Sequence, residues 1–230
     1  MTDAFDRIVI AVPDMDTAVE DYRQLLHAAP APMAGSEPSA WWGLDNTVIE
    51  LVEREVEAPS VRGLVLSAAD ADARERALPN RLDLEVALCN GGRSADFRKA
   101  SPAARCPGLA VDHVVLRSGD PDGCIAFFGE ELGIRLALDK TVPEWGGRML
   151  FFRAGKLTLE VITGADGDAG DDGFWGIAYQ CADLPAFAAE LDSRGVAVSA
   201  VRDGRKPGTR VATLKSHCLG IPTLLIQPAT

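Results

Sequence analysis

Short apolar runs and amphipathic stretches follow one another along the chain in an order that recurs. "RIVIAV" reads as a strand, then comes an Asp-centred turn, then a segment in which Val19, Tyr22 and Leu26 return at helical spacing. The same order appears in "VDHVVLRSGDPDGCIAFFGEELG", where Ile125, Phe128 and Leu132 form the stripe. It appears again in "FWGIAYQCADLPAFAAELDSRG", where Phe187 and Leu191 carry the stripe and Gly195 stops the helix. A fourth version begins at Val61 in "VRGLVLSAADADARERAL". Aligned on the first strand, Arg7, Gly63, His113 and Gly176 share one position; aligned on the turn, Asp14, Asp70, Asp120 and Asp183 share another. A short carboxylate at a strand-to-helix junction accepts a hydrogen bond from the open amides of the first helical turn, so these Asp residues are expected to be caps. Pro121, at a first helical position, fits the same reading.

Strand signals follow each helix. "RMLFFRAGKLTLEVI" is a hairpin turning at "AGK", "SAWWGLDNTVIELVE" turns at "DN", and "RVATLKSHCLGIPTLLIQ" turns at "LG". The Val61 copy keeps only "RLDLEVAL" after its helix and is truncated. The pattern predicts an α+β fold of tandem βαβββ modules. Residues 90–108, rich in Gly, Ser, Pro and Ala and without apolar periodicity, read as a linker. It separates two module pairs, residues 1–89 and residues 109–230.

A formal charge of −11 disfavours a nucleic-acid partner, although "RDGRKPGTR" leaves a local basic cluster able to meet a small anion. No apolar run is long enough to span a bilayer, and "MTDAFDR" lacks the order of a secretory signal, so a cytoplasmic protein without a membrane role is expected. Five scattered cysteines without CxxC spacing read as reduced, buried thiols. The phosphate-binding glycine loops, the GxSxG elbow and HExxH are absent, and "GADGDAGDDG" lacks the closing Glu of a calcium loop.

Tandem modules opening on "DHVVLRSGDPD" and closing on "LTLEVI" resemble the vicinal oxygen chelate superfamily, which includes glyoxalase-type lyases, epimerases, extradiol dioxygenases and bleomycin-binding proteins. The resemblance covers nearly the whole chain and implies that modules pair into two cupped, mixed or antiparallel sheets. In the family's metal enzymes, a His on the first strand and a Glu on the last strand of a module point into the cup. These positions fall on His113 and Glu160, which the resemblance implies as catalytic residues and ligands of a divalent metal (Zn, Fe, Mn or Ni). The matching residues are Arg7 and Glu50 in copy one, Gly63 and Glu85 in copy two, and Gly176 and Leu224 in copy four. Arg7 is placed to pair with Glu50 or Glu85, which would make the first cup scaffold.

Trp145, Arg148, Phe152, Trp175 and Tyr179 lie on or near strands expected to face the second cup. They suit an apolar or aromatic small molecule, with Arg148 or Arg210 holding a carboxylate or phosphate. Two readings follow. One is a metal-dependent lyase, isomerase or ring-cleaving dioxygenase acting on a small oxygenated substrate. The other is a metal-free small-molecule binding protein of the bleomycin-resistance type, favoured by Gly176 and Leu224 being unable to coordinate through their side chains. Four modules in one chain are compatible with a monomer or a homodimer.

Overall fold

The computed structural model describes residues 2, 4–33, 38–69, 75–90, 93–142, 147–163 and 172–229. The first module holds β1 (Ala4–Val12), α1 (Met15–Leu26), β2 (Ala31–Met33), β3 (Ser39–Gly43) and β4 (Val48–Glu53). The second holds β5 (Ser60–Ala68), β6 (Arg76–Ala77) and β7 (Glu85–Asn90). The helix expected in this copy falls partly on residues 70–74, outside the described residues; Arg76–Ala77 instead extend the sheet beside β7. The segment read as a linker opens with a helix, α2 (Arg93–Ala100). It is short of apolar periodicity because one large side chain anchors it, Phe97, edge-on to Trp41 at 5.2 Å.

The third module holds β8 (Leu109–Arg117), α3 (Pro121–Cys124), β9 (Arg135–Val142), β10 (Gly147–Ala154) and β11 (Leu157–Ile162). After α3 the helix widens over Ile125–Glu131, so that Leu132 N reaches Phe127 O at 3.0 Å, and the consecutive Phe127 and Phe128 are both buried. The fourth holds β12 (Gly173–Cys181), α4 (Leu184–Ser193), β13 (Arg202–Asp203), β14 (Arg210–Thr213) and β15 (Thr223–Gln227). Three turn carboxylates cap as expected: Asp14 accepts from Thr17 N at 2.7 Å, Asp120 from Gly123 N at 2.8 Å and Asp183 from Ala186 N at 3.0 Å. Asp70 lies outside the described residues.

Two mixed sheets result, ordered β2-β3-β4-β1-β5-β7-β6 and β13-β14-β15-β12-β8-β11-β10-β9. At the centre of each, the first strands of two modules run antiparallel (β1 with β5, β8 with β12). Each last strand lies parallel to its own first strand: β4 on β1, β7 on β5, β11 on β8 and β15 on β12. The helix-side faces of both sheets join one apolar core, with Ile8, Ile10, Tyr22 and Leu66 from one half and Val114, Leu116, Phe152 and Tyr179 from the other. The opposite face of each sheet is the inside of a cup. All five cysteines are free and buried, and burial pushes the Cys106 thiol up to about 12. No described helix is long and apolar enough to cross a membrane.

Candidate functional site

A β-bulge decides which side chains enter each cup. On β8, Val111 pairs with Tyr179 and His113 with Ala178, leaving Asp112 as the extra residue. The extra residue resets the two-residue alternation. Leu109 and Val111 before it, and Val114 and Leu116 after it, all reach the core, while His113, Val115 and Arg117 turn into the cup. β1 does the same with Asp6, between the pairs Phe5–Leu66 and Arg7–Val65.

Register then locates the equivalent positions. His113 pairs with Thr158, and Glu160 lies two residues further along β11, on the same face. Arg7 pairs with Val48, which puts Glu50 in the same relation. Gly63 pairs with Glu85, so Ala87 and not Glu85 corresponds to Glu160. Alignment by sequence missed this two-residue offset because the acidic "LDLEV" resembles "LTLEV". Ile177 pairs with Thr223, which makes Gly176 and Leu224 the fourth pair, as expected.

In the second cup, His113 Nδ1 lies 2.9 Å from Asp112 Oδ2, and its Nε2 lies 3.7 Å from Glu160 Oε2. Both His113 and Glu160 side chains are 17% exposed, enough to be reached from the cup. A carboxylate only accepts, so Nδ1 carries the hydrogen and Nε2 of the neutral ring presents its lone pair. Burial holds the Glu160 carboxyl above its ordinary value; His113 and Arg205 oppose that shift and Asp112 reinforces it.

These residues do not fit a resident divalent ion. Such a centre takes at least three protein donors, and among the described residues no cluster of three His, Cys, Asp or Glu is suited to one. At its two matching positions the fourth module offers no donor. Leu224 is apolar, and a Cβ on Gly176 would lie 2.6 Å from the backbone oxygen of Pro222.

The remaining predicted ligand contacts divide by face. Trp175 is the extra residue of a bulge on β12, 40% exposed, with the Arg117 guanidinium 4.3 Å from its ring centre, at the cup. Phe152 and Tyr179 point the other way and are fully buried in the core, Phe152 against Phe128 and Tyr179 close to Tyr22. Phe152 alternates with Phe151, which faces the cup; Tyr179 follows the Asp112 bulge in its partner strand. Arg148 is also on the helix side, clamped by both oxygens of Asp139 and by Asp122, each at 2.7–2.8 Å. Arg210 shares the face of Ala212, a core residue, at an exposed strand end. Trp145 lies outside the described residues. Sequence reasoning passed over Phe151, Val115 and Arg117, although the alternation within "RMLFFRA" and "DHVVLR" carried the signal.

The first cup is filled by its own charges. Arg7, 2% exposed, donates to Glu50 at 2.8 Å, to Asp6 at 2.8 Å and to Glu75. Its guanidinium lies 4.6 Å from the Trp41 ring centre, and Trp41 donates to the second Glu50 oxygen at 2.9 Å. Burial works against the Arg7 charge, but Glu50, Glu75 and Asp6 together outweigh it and hold its pKa above the ordinary range. Glu85 pairs with Arg54 and Arg62, and Arg93 lies 3.6 Å from Glu75. A cavity of about 910 Å³ opens here. Most of the charged groups around it are already bonded to each other: Arg7 to Glu50 and Glu75, Arg54 to Glu85, and Arg93 to Glu75.

Residues 112–213 match the family model of the Glyoxalase/Bleomycin resistance protein/Dioxygenase superfamily. Over 99% of this chain and 93% of the other, the fold superposes with a TM-score of 0.74 on a triple variant of 4-hydroxymandelate synthase from Streptomyces coelicolor, at 15% identity. The chain therefore has the fold of that synthase, and its second half matches the superfamily's family model. A xylose isomerase-like TIM barrel/4-hydroxyphenylpyruvate dioxygenase fusion protein matches 99% of this chain with 49% of its own, at 16% identity and a TM-score of 0.69. Methylmalonyl-CoA epimerase from Mycobacterium tuberculosis aligns 88% of its length with 52% of this chain, at 22% identity and a TM-score of 0.44. Comparison with curated protein sequences gives no match.

Proposed function

We propose that this chain is a vicinal oxygen chelate superfamily protein that binds a small oxygenated molecule in its second cup and moves a proton on it with His113 and Glu160. The observation that carries the reading is the Asp112–His113–Glu160 line, with one ring nitrogen pinned at 2.9 Å and the other turned to a carboxyl 3.7 Å away. His113 Nε2 is the base that takes a hydrogen from carbon next to a carbonyl. Glu160, which keeps its proton to higher pH than an ordinary carboxylate, is the acid that supplies a proton to the carbonyl oxygen as charge develops there. The product is an enol, and return of the proton to either face gives isomerisation or epimerisation.

The test is exchange into D2O of the hydrogens on carbon next to the ketone in a panel of alkyl and arylmethyl 2-oxo acids, followed by proton NMR. His113→Ala and Glu160→Gln are each expected to slow exchange by a factor of about 100 or more. Exchange that proceeds equally in the wild type and both variants overturns the reading. Parallel runs with Zn, Fe, Mn or Ni salts separate the metal-dependent alternative: its signature is activity that appears only with one ion and vanishes in both variants.

A further inference from the structure

We infer that the second cup selects a molecule with a flat apolar body and one anionic group, carboxylate or phosphate, held by Arg117. The inference rests on the reading that this cup is the binding site, and goes beyond it by naming what the floor recognises.

Register lays the floor out in rows. The middle row runs Leu138, Phe151, Glu160, Val115 and Gly176, across β9, β10, β11, β8 and β12. Four inter-strand steps of about 4.8 Å make it roughly 19 Å long. Apart from Glu160 and Gly176 it is apolar, and its two ends are marked by the two exposed large apolar side chains among the described residues: Leu138, 47% exposed, and Trp175, 40% exposed. An apolar strip with such exposed ends and a largely covered middle is a surface for a flat apolar body.

The adjoining rows carry positive charge. On one side lie Lys140, Met149, Ile162 and Arg117; on the other lie Arg153, Thr158 and His113. Arg117 is held over Trp175 by a cation–π contact at 4.3 Å, which fixes its fork at the end of the strip. Among the described residues, Arg117, Lys140 and Arg153 have no carboxylate within ion-pair distance. In the first cup Arg7, Arg54, Arg62 and Arg93 all have one. In a chain of net charge −11, three cations without carboxylate partners around one apolar strip form a local field that attracts an anion. Arg117 is the member whose planar fork suits two oxygens of a carboxylate or phosphate.

The probes are 2-naphthoate, 2-naphthyl phosphate and the uncharged 2-naphthamide, titrated by calorimetry. Binding is located by the imidazole signals of the three histidines in nitrogen-edited NMR. At least one acid is expected to bind about tenfold tighter than the amide and to shift the His113 signals; the tighter acid identifies the anion. Arg117→Gln is expected to remove about tenfold of that acid's affinity and leave the amide within about twofold, and Arg210→Gln, outside the cup, to change neither. If acids and amide bind equally and all shift His113, the cup binds ligand and the charge preference is wrong. If Arg117→Gln leaves the acids unaffected, the preference again fails. If no probe moves His113, the binding-site reading falls and the inference falls with it.

Discussion

The two cups are the same object built twice, with opposite internal accounts of charge. Each has a bulged Asp followed by its site residue on the central strand, and a Glu two residues past the pairing partner on the next strand. In the first cup the site residue is Arg7, whose guanidinium meets Asp6, Glu50 and Glu75 and stacks on Trp41. In the second it is His113, with one nitrogen held by Asp112 and the other 3.7 Å from Glu160. A permanent cation that satisfies every neighbouring carboxylate is a strut; a titratable ring that satisfies only one side leaves chemistry available. On this scaffold one strand position separates a half whose site cation is fully paired from one whose imidazole has a carboxylate partner on one nitrogen and a more distant carboxyl on the other.

Breaking the strut has the largest expected effect. Arg7→Ala leaves Asp6 and Glu50 buried or nearly so without their cation, and should cost ~3–5 kcal/mol in urea-melt stability. His113→Ala, removing a residue with less to hold together, should cost under about 1 kcal/mol while abolishing exchange. Equal losses in the two variants would erase the contrast. An intermediate effect comes from Arg148→Ala, which releases Asp139 and Asp122 on the helix side and should cost about 1 kcal/mol or less. Naphthoate affinity is expected to be unchanged in it; a weakened affinity would return Arg148 to the site.

The smallest effect is pH-dependent. Burial raises the Glu160 pKa above its ordinary 4.5, so the folded chain holds this proton more tightly than the unfolded chain. The group's contribution to stability is therefore fully present below 4.5 and is lost as pH rises towards the raised value. Glu160→Gln removes that slope, so the Tm of the variant relative to wild type should climb as pH rises above 4.5. A flat difference would mean that Glu160 is well solvated in the fold.

The repeat, the Asp caps and the hairpins were legible because each rests on local chemistry: a carboxylate three residues before an open amide, or a turn such as "AGK" between alternating strands. The shared face of His113 and Glu160 was legible through their place in that repeat. The second-cup floor was not. Phe152, Tyr179, Arg148 and Arg210 were expected to contact the ligand, yet they lie on the helix side: Tyr179 follows the single-residue bulge at Asp112 in its partner strand, while Phe152 and Arg148 are one residue out of phase with the cup positions Phe151 and Met149, and Arg210 shares the face of Ala212. The pairing of Arg7 with Glu50 rather than Glu85 likewise depends on strand register, which only the folded sheet fixes.

Gly176 has a consequence for the mutational paths open to this protein. A histidine there would mirror His113 and offer a third donor, but its first side-chain carbon would meet the Pro222 carbonyl at 2.6 Å. The neighbouring strand must shift before the substitution becomes tolerable, and that shift brings no advantage by itself. A three-donor centre built through this position is therefore at least two steps away, with the intermediate step uphill. Adaptation of the second cup runs more freely through its rim, where Arg117, Lys140 and Leu138 can change one at a time without disturbing the sheet.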